Sequence, residues 1–243
     1  MKAIQLIFIT ITALSGCTKK AVVPAPVVKT DTSVTTKPMT TPATYLALGD
    51  SYTIGEAVPQ NQSFPYQLVS SLNGFKLEVQ PPDIIAVTGW TTDNLISAIS
   101  QSDFKDKQYD FVTLLIGVND QYQSQSKDNY RTKFAQVLHT AINFAKGDAS
   151  RVFVLSIPDY GVTPFAAGRE NTIGPDIDAF NAINKDETAK AHVSNYIDIT
   201  AISRLAATNP SLIAADGLHP SAQMYQMWVQ ALEPSVKARL EKK

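Results

Sequence analysis

A serine hydroxyl is a poor nucleophile until a neighbouring base takes its proton, and histidine, which titrates near neutrality, suits that task. Ser51 sits in Gly49-Asp50-Ser51-Tyr52-Thr53-Ile54-Gly55, and His219 in Asp216-Gly217-Leu218-His219-Pro220. Three residues of separation let Asp216 lie beside the imidazole and fix its tautomer, the orienting role in a triad. Gly217 permits the turn, while Pro220 holds His219 extended and opens the next helix. The other two histidines are poorer candidates. His139 falls on the polar face of an expected helix, and His192 near a helix C-terminus, where a cation is favoured.

Acyl transfer through serine also needs hydrogen-bond donors aimed at the developing oxyanion. Two more segments, Thr88-Gly89-Trp90-Thr91-Thr92 and Gly117-Val118-Asn119-Asp120, could supply them. Gly89 can bring its backbone N–H close because no side chain intervenes, and the Asn119 amide can donate. The Ser51 backbone N–H would be the third donor. Tyr52, Trp90, Tyr122, Tyr160 and Phe165 lie near these segments and could line an acyl slot or stack on a sugar, or equally belong to the core or rim. Trp90 is bulky enough to shape the acyl or leaving-group pocket. Taken singly, each segment also reads as an ordinary turn, since Gly, Asp, Asn and Ser are turn formers, or as a polar helix cap.

Placement raises them above that. Three of the four follow apolar, strand-like runs: Tyr45–Leu48, Ile84–Val87 and Phe111–Ile116. In an open parallel α/β sheet, residues just past the strand ends line the ligand crevice. Two further strands are expected, Arg151–Ile157 stopped by Pro158-Asp159, and a short Tyr196–Ile199. Between them lie helical patterns. Ser63 and Pro65 open one that runs to Leu72, with Asn73-Gly74 as its stop, and Thr91 or Thr92 caps another through Ser100. Over Asp128–Lys146, Tyr130, Phe134, Val137, Leu138, Ala141, Ile142 and Ala145 share one face and Gly147 ends the helix. Pro175–His192 is helical with Ile177, Phe180 and Ile183 inward. Ser221–Leu232 follows, and Pro234 is expected to break or kink it. Strands separated by helices predict a three-layer α/β/α sandwich around a parallel sheet.

In order and content the four segments resemble the blocks of the SGNH (GDSL-type) hydrolase family, which supply in turn Ser, Gly, Asn and Asp-x-x-His. Gly-Asp-Ser51, Gly89, Gly-x-Asn119-Asp and Asp216-x-x-His219-Pro match them one by one, across nearly the whole expected domain. Thr53 stands where the nucleophile elbow of α/β-hydrolases would carry its second glycine, so that fold does not fit. The first block has Tyr52 where many members have Leu. The resemblance implies a flavodoxin-like fold and a serine esterase working through an acyl-enzyme, with Ser51, His219 and Asp216 catalytic and Ser51, Gly89 and Asn119 forming the oxyanion hole. It implies no cofactor and a small-molecule ester substrate, such as a short acyl ester of a lipid or carbohydrate. The alternative from a different class is a non-catalytic lipoprotein that binds acyl or glycan groups.

The bulk numbers bound the rest. With 21 basic and 22 acidic residues there is no basic stripe to track phosphates, which argues against nucleic acid as a partner. No zinc spacing, Walker loop or dinucleotide fingerprint is present, so no metal site is expected. Cys17 is the single cysteine, which excludes an internal disulfide. Lys2, the apolar stretch Ala3–Leu14 and Leu14-Ser15-Gly16-Cys17 resemble the signal peptide and lipobox of bacterial lipoproteins, and the run is short for a bilayer span. Residues 1–16 are therefore expected to be a leader and Cys17 a lipidated anchor to a membrane, outside the cytoplasm in the cell envelope. Residues 17–42 then form a tether rich in Pro and Thr, able to reach on the order of 80 Å when extended. The hydrolase domain is expected to fill 43–243.

Overall fold

The apolar runs become five short strands, β1 (Tyr45–Gly49), β2 (Asp83–Ala86), β3 (Phe111–Leu115), β4 (Val152–Leu155) and β5 (Asn195–Ile197), in a computed structural model that describes residues 41–242. They pair in parallel in the order β2-β1-β3-β4-β5, with registers such as Leu48↔Ile85, Leu48↔Leu114 and Val154↔Tyr196. The inner strands β1, β3 and β4 are buried along their whole length, whereas the edges β2 and β5 are largely half-buried. Strands covered on both faces need no polar alternation, which is why Tyr-Leu-Ala-Leu and Phe-Val-Thr-Leu-Leu read as unbroken apolar runs. The Thr113 hydroxyl in β3 is accommodated by a 2.8 Å hydrogen bond with Tyr45.

Five long helices cover the sheet: α2 (Phe64–Gly74), α3 (Thr92–Gln101), α5 (Lys127–Phe144), α6 (Glu170–Lys190) and α8 (Ala222–Leu240). Three short ones, α1 (Ser51–Ile54), α4 (Val118–Tyr122) and α7 (Thr200–Ser203), sit past strand ends. α2 packs against α8, and α5 against both α3 and α6. Right-handed crossovers put these two groups on opposite faces, giving the expected three-layer sandwich. From β1 the chain goes first to one neighbour, β2, and then to the other, β3. The order therefore reverses between β1 and β3, the place where an open parallel sheet leaves a crevice at its carboxyl edge.

Most helices begin and end where the sequence predicts. Thr91 caps α3 in a reciprocal capping box with Asn94, and Tyr130, Phe134, Val137, Leu138 and Ala141 form the buried face of α5. Pro175 does not open its helix, and Pro234 does not end its own. α6 starts at Glu170, five residues before Pro175, and α8 runs through Pro234 to Leu240. An interior proline costs about 3 kcal/mol, but full burial of an aliphatic side chain returns about 1.5–3 kcal/mol. Val236 (0% exposed) and Leu240 (2%) lie beyond Pro234, so continuing α8 outweighs the lost bond. Pro175 and Asn171, whose carbonyl loses its partner, are both exposed, so the orphan group lies open to solvent. Among the described residues no helix is long and apolar enough to cross a membrane. The expected leader, Cys17 and all but the last two tether residues lie outside the described residues.

Candidate active site

Each of the four sequence blocks is a turn off the carboxyl edge of the sheet or against it. After β1, Asp50 caps α1 by accepting the Tyr52 N–H at 3.0 Å, which makes Ser51 the first residue of a single helical turn. After β2, Trp90 N–H donates to Val87 O at 3.3 Å, closing a four-residue turn with Gly89 at its third position. Gly89 has φ +82°, and a Cβ built on it would meet open space. The left-handed backbone, rather than crowding, is what calls for glycine there.

After β3, Gly117 adopts φ +124°, and a Cβ there would come within 2.2 Å of the Tyr130 hydroxyl. That tight entry starts α4 and sets Asn119 on its first turn. The Asn119 amide donates to Trp90 O at 3.0 Å, and with two amide hydrogens it keeps one for the cavity. The adjacent Asp120 is buried and accepts from the Thr92 N–H at 3.0 Å and the Thr92 hydroxyl at 2.7 Å. This second tie fixes the β2 and β3 turns to each other. Sequence reading gave Asp120 no role. Its signal was an acid beside the block asparagine, with Thr91-Thr92 opening a helix whose first N–H groups need acceptors.

The fourth block folds back on itself. Ala214 N–H donates to His219 O at 2.8 Å, and Ile213 bridges Pro220. Inside that loop one Asp216 oxygen accepts the N–H groups of Leu218 and His219, both at 3.0 Å, and the other lies 2.6 Å from His219 Nδ1. Burial pushes the Asp216 carboxyl up, but these hydrogen bonds and the imidazole outweigh it and hold the acid below its usual range. Nδ1 is thus engaged from behind, and the opposite nitrogen is left for other work. His139 is exposed on α5, and His192 is exposed two residues past α6 with φ +57°.

Ser51, Gly89, Asn119 and His219 all line one cavity of about 160 Å³. Asp216 stands behind the imidazole, outside the lining. Among the described residues no hydrogen bond joins the Ser51 hydroxyl to His219; such contacts often tighten only when substrate is bound. The cavity wall is aromatic. Tyr52 lies 5.4 Å from the His219 ring, and Tyr122, Tyr160 and Phe165 form a cluster with centroids 6.1–6.3 Å apart. Tyr160 is buried and donates to Gln121 at 2.8 Å, whereas Tyr122 and Phe165 are exposed. Trp90 is absent from the lining and takes the core rather than the pocket reading: it packs partly buried against the core, and its carbonyl serves the site by holding Asn119. Among the described residues no group of three or more His, Cys, Asp or Glu is placed to hold a metal.

Comparisons with known proteins bear on the fold and on the family. No curated protein matches the chain by sequence. The fold is similar to that of TesA, with TM-score 0.62 and 18% identity over 81% of this chain and 99% of TesA. It is also similar to Axe2, an acetylxylan esterase from Geobacillus stearothermophilus, with TM-score 0.60 and 16% identity over 80% of this chain and 94% of Axe2. LAE5, an α/β hydrolase enzyme from the metagenome of Lake Arreo, aligns with TM-score 0.62 and 16% identity over 80% and 94% of the two chains. Identities this low speak to the fold alone. The sequence supplies the closer link: residues 47–227, from β1 to the middle of α8, match one family throughout, and this chain belongs to the GDSL-like lipase/acylhydrolase family.

Proposed function

We propose that this chain hydrolyses carboxylic esters through an acyl-enzyme on Ser51. The observation that carries the reading is the convergence of Ser51, Gly89, Asn119 and His219 on one small cavity, with Asp216 2.6 Å behind the imidazole. With Nδ1–H donating to Asp216, His219 Nε2 takes the Ser51 proton as Oγ bonds to the ester carbonyl carbon. The tetrahedral oxyanion is held by the N–H groups of Ser51 and Gly89 and the free amide hydrogen of Asn119. Collapse breaks the bond to the alcohol, which leaves with the proton from His219. Water then repeats the sequence on the acyl-enzyme and releases the acid.

Cavity size favours a short acyl group. A cavity of roughly 150 Å³ holds a benzene-sized group, about six carbons, and this one is about 160 Å³. The acetylxylan esterase among the structural neighbours acts on a comparably small acyl group, an acetyl. The lipobox resemblance supports anchoring of the mature chain to a membrane through Cys17, with the ester substrate met outside the cytoplasm. The deciding experiment is covalent labelling with a fluorophosphonate. Wild type takes the label on Ser51, and Ser51→Ala does not. Intact protein that never labels, and cleaves none of a series of nitrophenyl esters of rising chain length, would instead be the binding protein of the alternative reading.

A further inference from the structure

Asp50, next to the nucleophile in the first block, has no task in the ester chemistry. Its side chain is 1% exposed. One carboxyl oxygen accepts the Tyr52 N–H at 3.0 Å; the other is buried with no hydrogen-bond partner. An ionised carboxylate wants several donors, and burying one with a single donor is costly. A neutral acid needs much less.

The surroundings make ionisation harder. Of the elements packed on α1, β1 carries Tyr45, bonded to Thr113; β2 carries Asp83, bonded to Lys107 and Tyr109; and α2 carries Tyr66, bonded to Gln60. None of these bonds reaches Asp50. The groups electrostatically coupled to Asp50 are Tyr52 of α1 itself, Asp120 of α4, Tyr130 of α5 and Tyr225 of α8, which are three phenols and a second carboxyl. Among the described residues no lysine or arginine pairs with Asp50, although such pairs are common elsewhere on the molecule.

Asp50 and Asp120 are therefore two buried acids with unequal hydrogen bonding. Asp120 receives the Thr92 N–H and hydroxyl, Asp50 only one N–H. Where two buried carboxyls feel each other, the better-bonded one keeps the charge and the other keeps the proton. Burial raises both carboxyls, with the Thr92 hydrogen bonds opposing the rise at Asp120; at Asp50 burial, with a lesser contribution from Asp120, pushes the carboxyl up to about 8.

We propose that Asp50 is a positioning residue that works as an undissociated acid: it caps the helical turn that presents Ser51, and by staying neutral it keeps a fixed negative charge away from the forming oxyanion. An ionised carboxylate adjoining Ser51 would oppose the very charge that the Ser51 N–H helps to stabilise. The proposal rests on the reading of Ser51 as nucleophile for its catalytic half, and on burial and hydrogen bonding alone for the neutral acid.

The test has two arms. In the first, kcat for a nitrophenyl ester is followed across the neutral and alkaline range for wild type and Asp50→Asn, an amide that caps as well as the acid. Wild type should lose about tenfold in kcat per pH unit above a midpoint near 8. Asp50→Asn should stay within a few-fold of wild type at neutrality and lack that alkaline limb, which a merely structural cap would leave in place. In the second arm, wild type with ¹³C-labelled aspartate carboxyls is titrated by NMR with the resonances assigned through the backbone, and the Asp50 carboxyl should titrate near 8. That arm needs no activity and no variant, so it decides the protonation state even if Asp50→Asn fails to fold. An alkaline limb that is absent from wild type or unchanged in Asp50→Asn, a folded but inactive Asp50→Asn, or an Asp50 carboxyl that does not titrate above neutrality would each overturn the proposal. Failure of the esterase reading shows itself separately, as loss of fluorophosphonate labelling at Ser51.

Discussion

Asp216→Asn separates the orienting role of the acid from its structural role. In the wild type, one oxygen of Asp216 accepts two backbone N–H groups and the other faces His219 Nδ1 at 2.6 Å. The amide of the variant must keep its oxygen on the two N–H groups, because flipping would set donors against donors and orphan both, at about 1–3 kcal/mol each. Its NH₂ is then forced onto Nδ1. That nitrogen has to accept, so the ring proton moves to Nε2, and the imidazole can no longer take a proton from Ser51. The loss in kcat should be about 10³–10⁴, or roughly 4–5.5 kcal/mol, with KM little changed. Stability should hardly move, since the loop bonds persist. Asp216→Ala reverses the pattern in stability. It deletes both loop bonds, and because Asp216 is one-third exposed and water replaces part of them, the cost is about 1 kcal/mol, or about 2–4 °C in Tm. Steady-state kinetics beside thermal melts of the two variants make the check. An Asp216→Asn enzyme within tenfold of wild type, or one that melts lower than Asp216→Ala, would refute the argument.

Further outcomes follow from the same geometry. Asn119→Ala should lower kcat by about 10²–10³ with KM nearly constant, because the amide acts on charge that appears in the transition state; an unchanged kcat would remove Asn119 from the site. Gly117→Ala puts a Cβ 2.2 Å from the Tyr130 hydroxyl at φ +124°, and should cost about 3 kcal/mol, or roughly 6–12 °C in Tm by calorimetry. Cys17→Ser should move the protein from the membrane fraction to the soluble one with ester hydrolysis intact; a variant still bound to membranes would sink the lipobox reading.

The parallel sheet was legible because its inner strands are covered on both faces and so carry no polar residues except Thr113, which Tyr45 satisfies. The site was legible as a set of turns because glycine and asparagine are costly to dispense with at left-handed or donor positions, as φ +82° at Gly89 shows. What could not be read was anything decided by distant partners. Of the break or kink expected at Pro234, the break fails because local propensity cannot see Val236 and Leu240 entering the core. Trp90 stayed open between pocket wall and core because a sequence does not reveal which way a ring turns, and it packs against the core. Asp120 passed unremarked because its partner Thr92 is 28 residues away and meets it only after both strands have paired with β1. The leader and Cys17 lie outside the described residues.

The aromatic wall has a consequence for how such an enzyme changes over generations. Tyr160 and Phe165 belong to the stretch between β4 and α6, which contributes no atom to the proposed chemistry. The exposed Phe165 side chain can be exchanged without touching Ser51, Asn119 or the acid behind the imidazole, whereas buried Tyr160 is tied through Gln121 to the helix that carries Asn119. The main chain there is less free, since Phe165 N–H donates to Gly217 O at 3.0 Å within the histidine loop. Point substitutions at Phe165 are thus a permissive route to new specificity, whereas insertions or deletions in this stretch would tug on His219. Diversity among descendants should accumulate here as altered side chains at constant length.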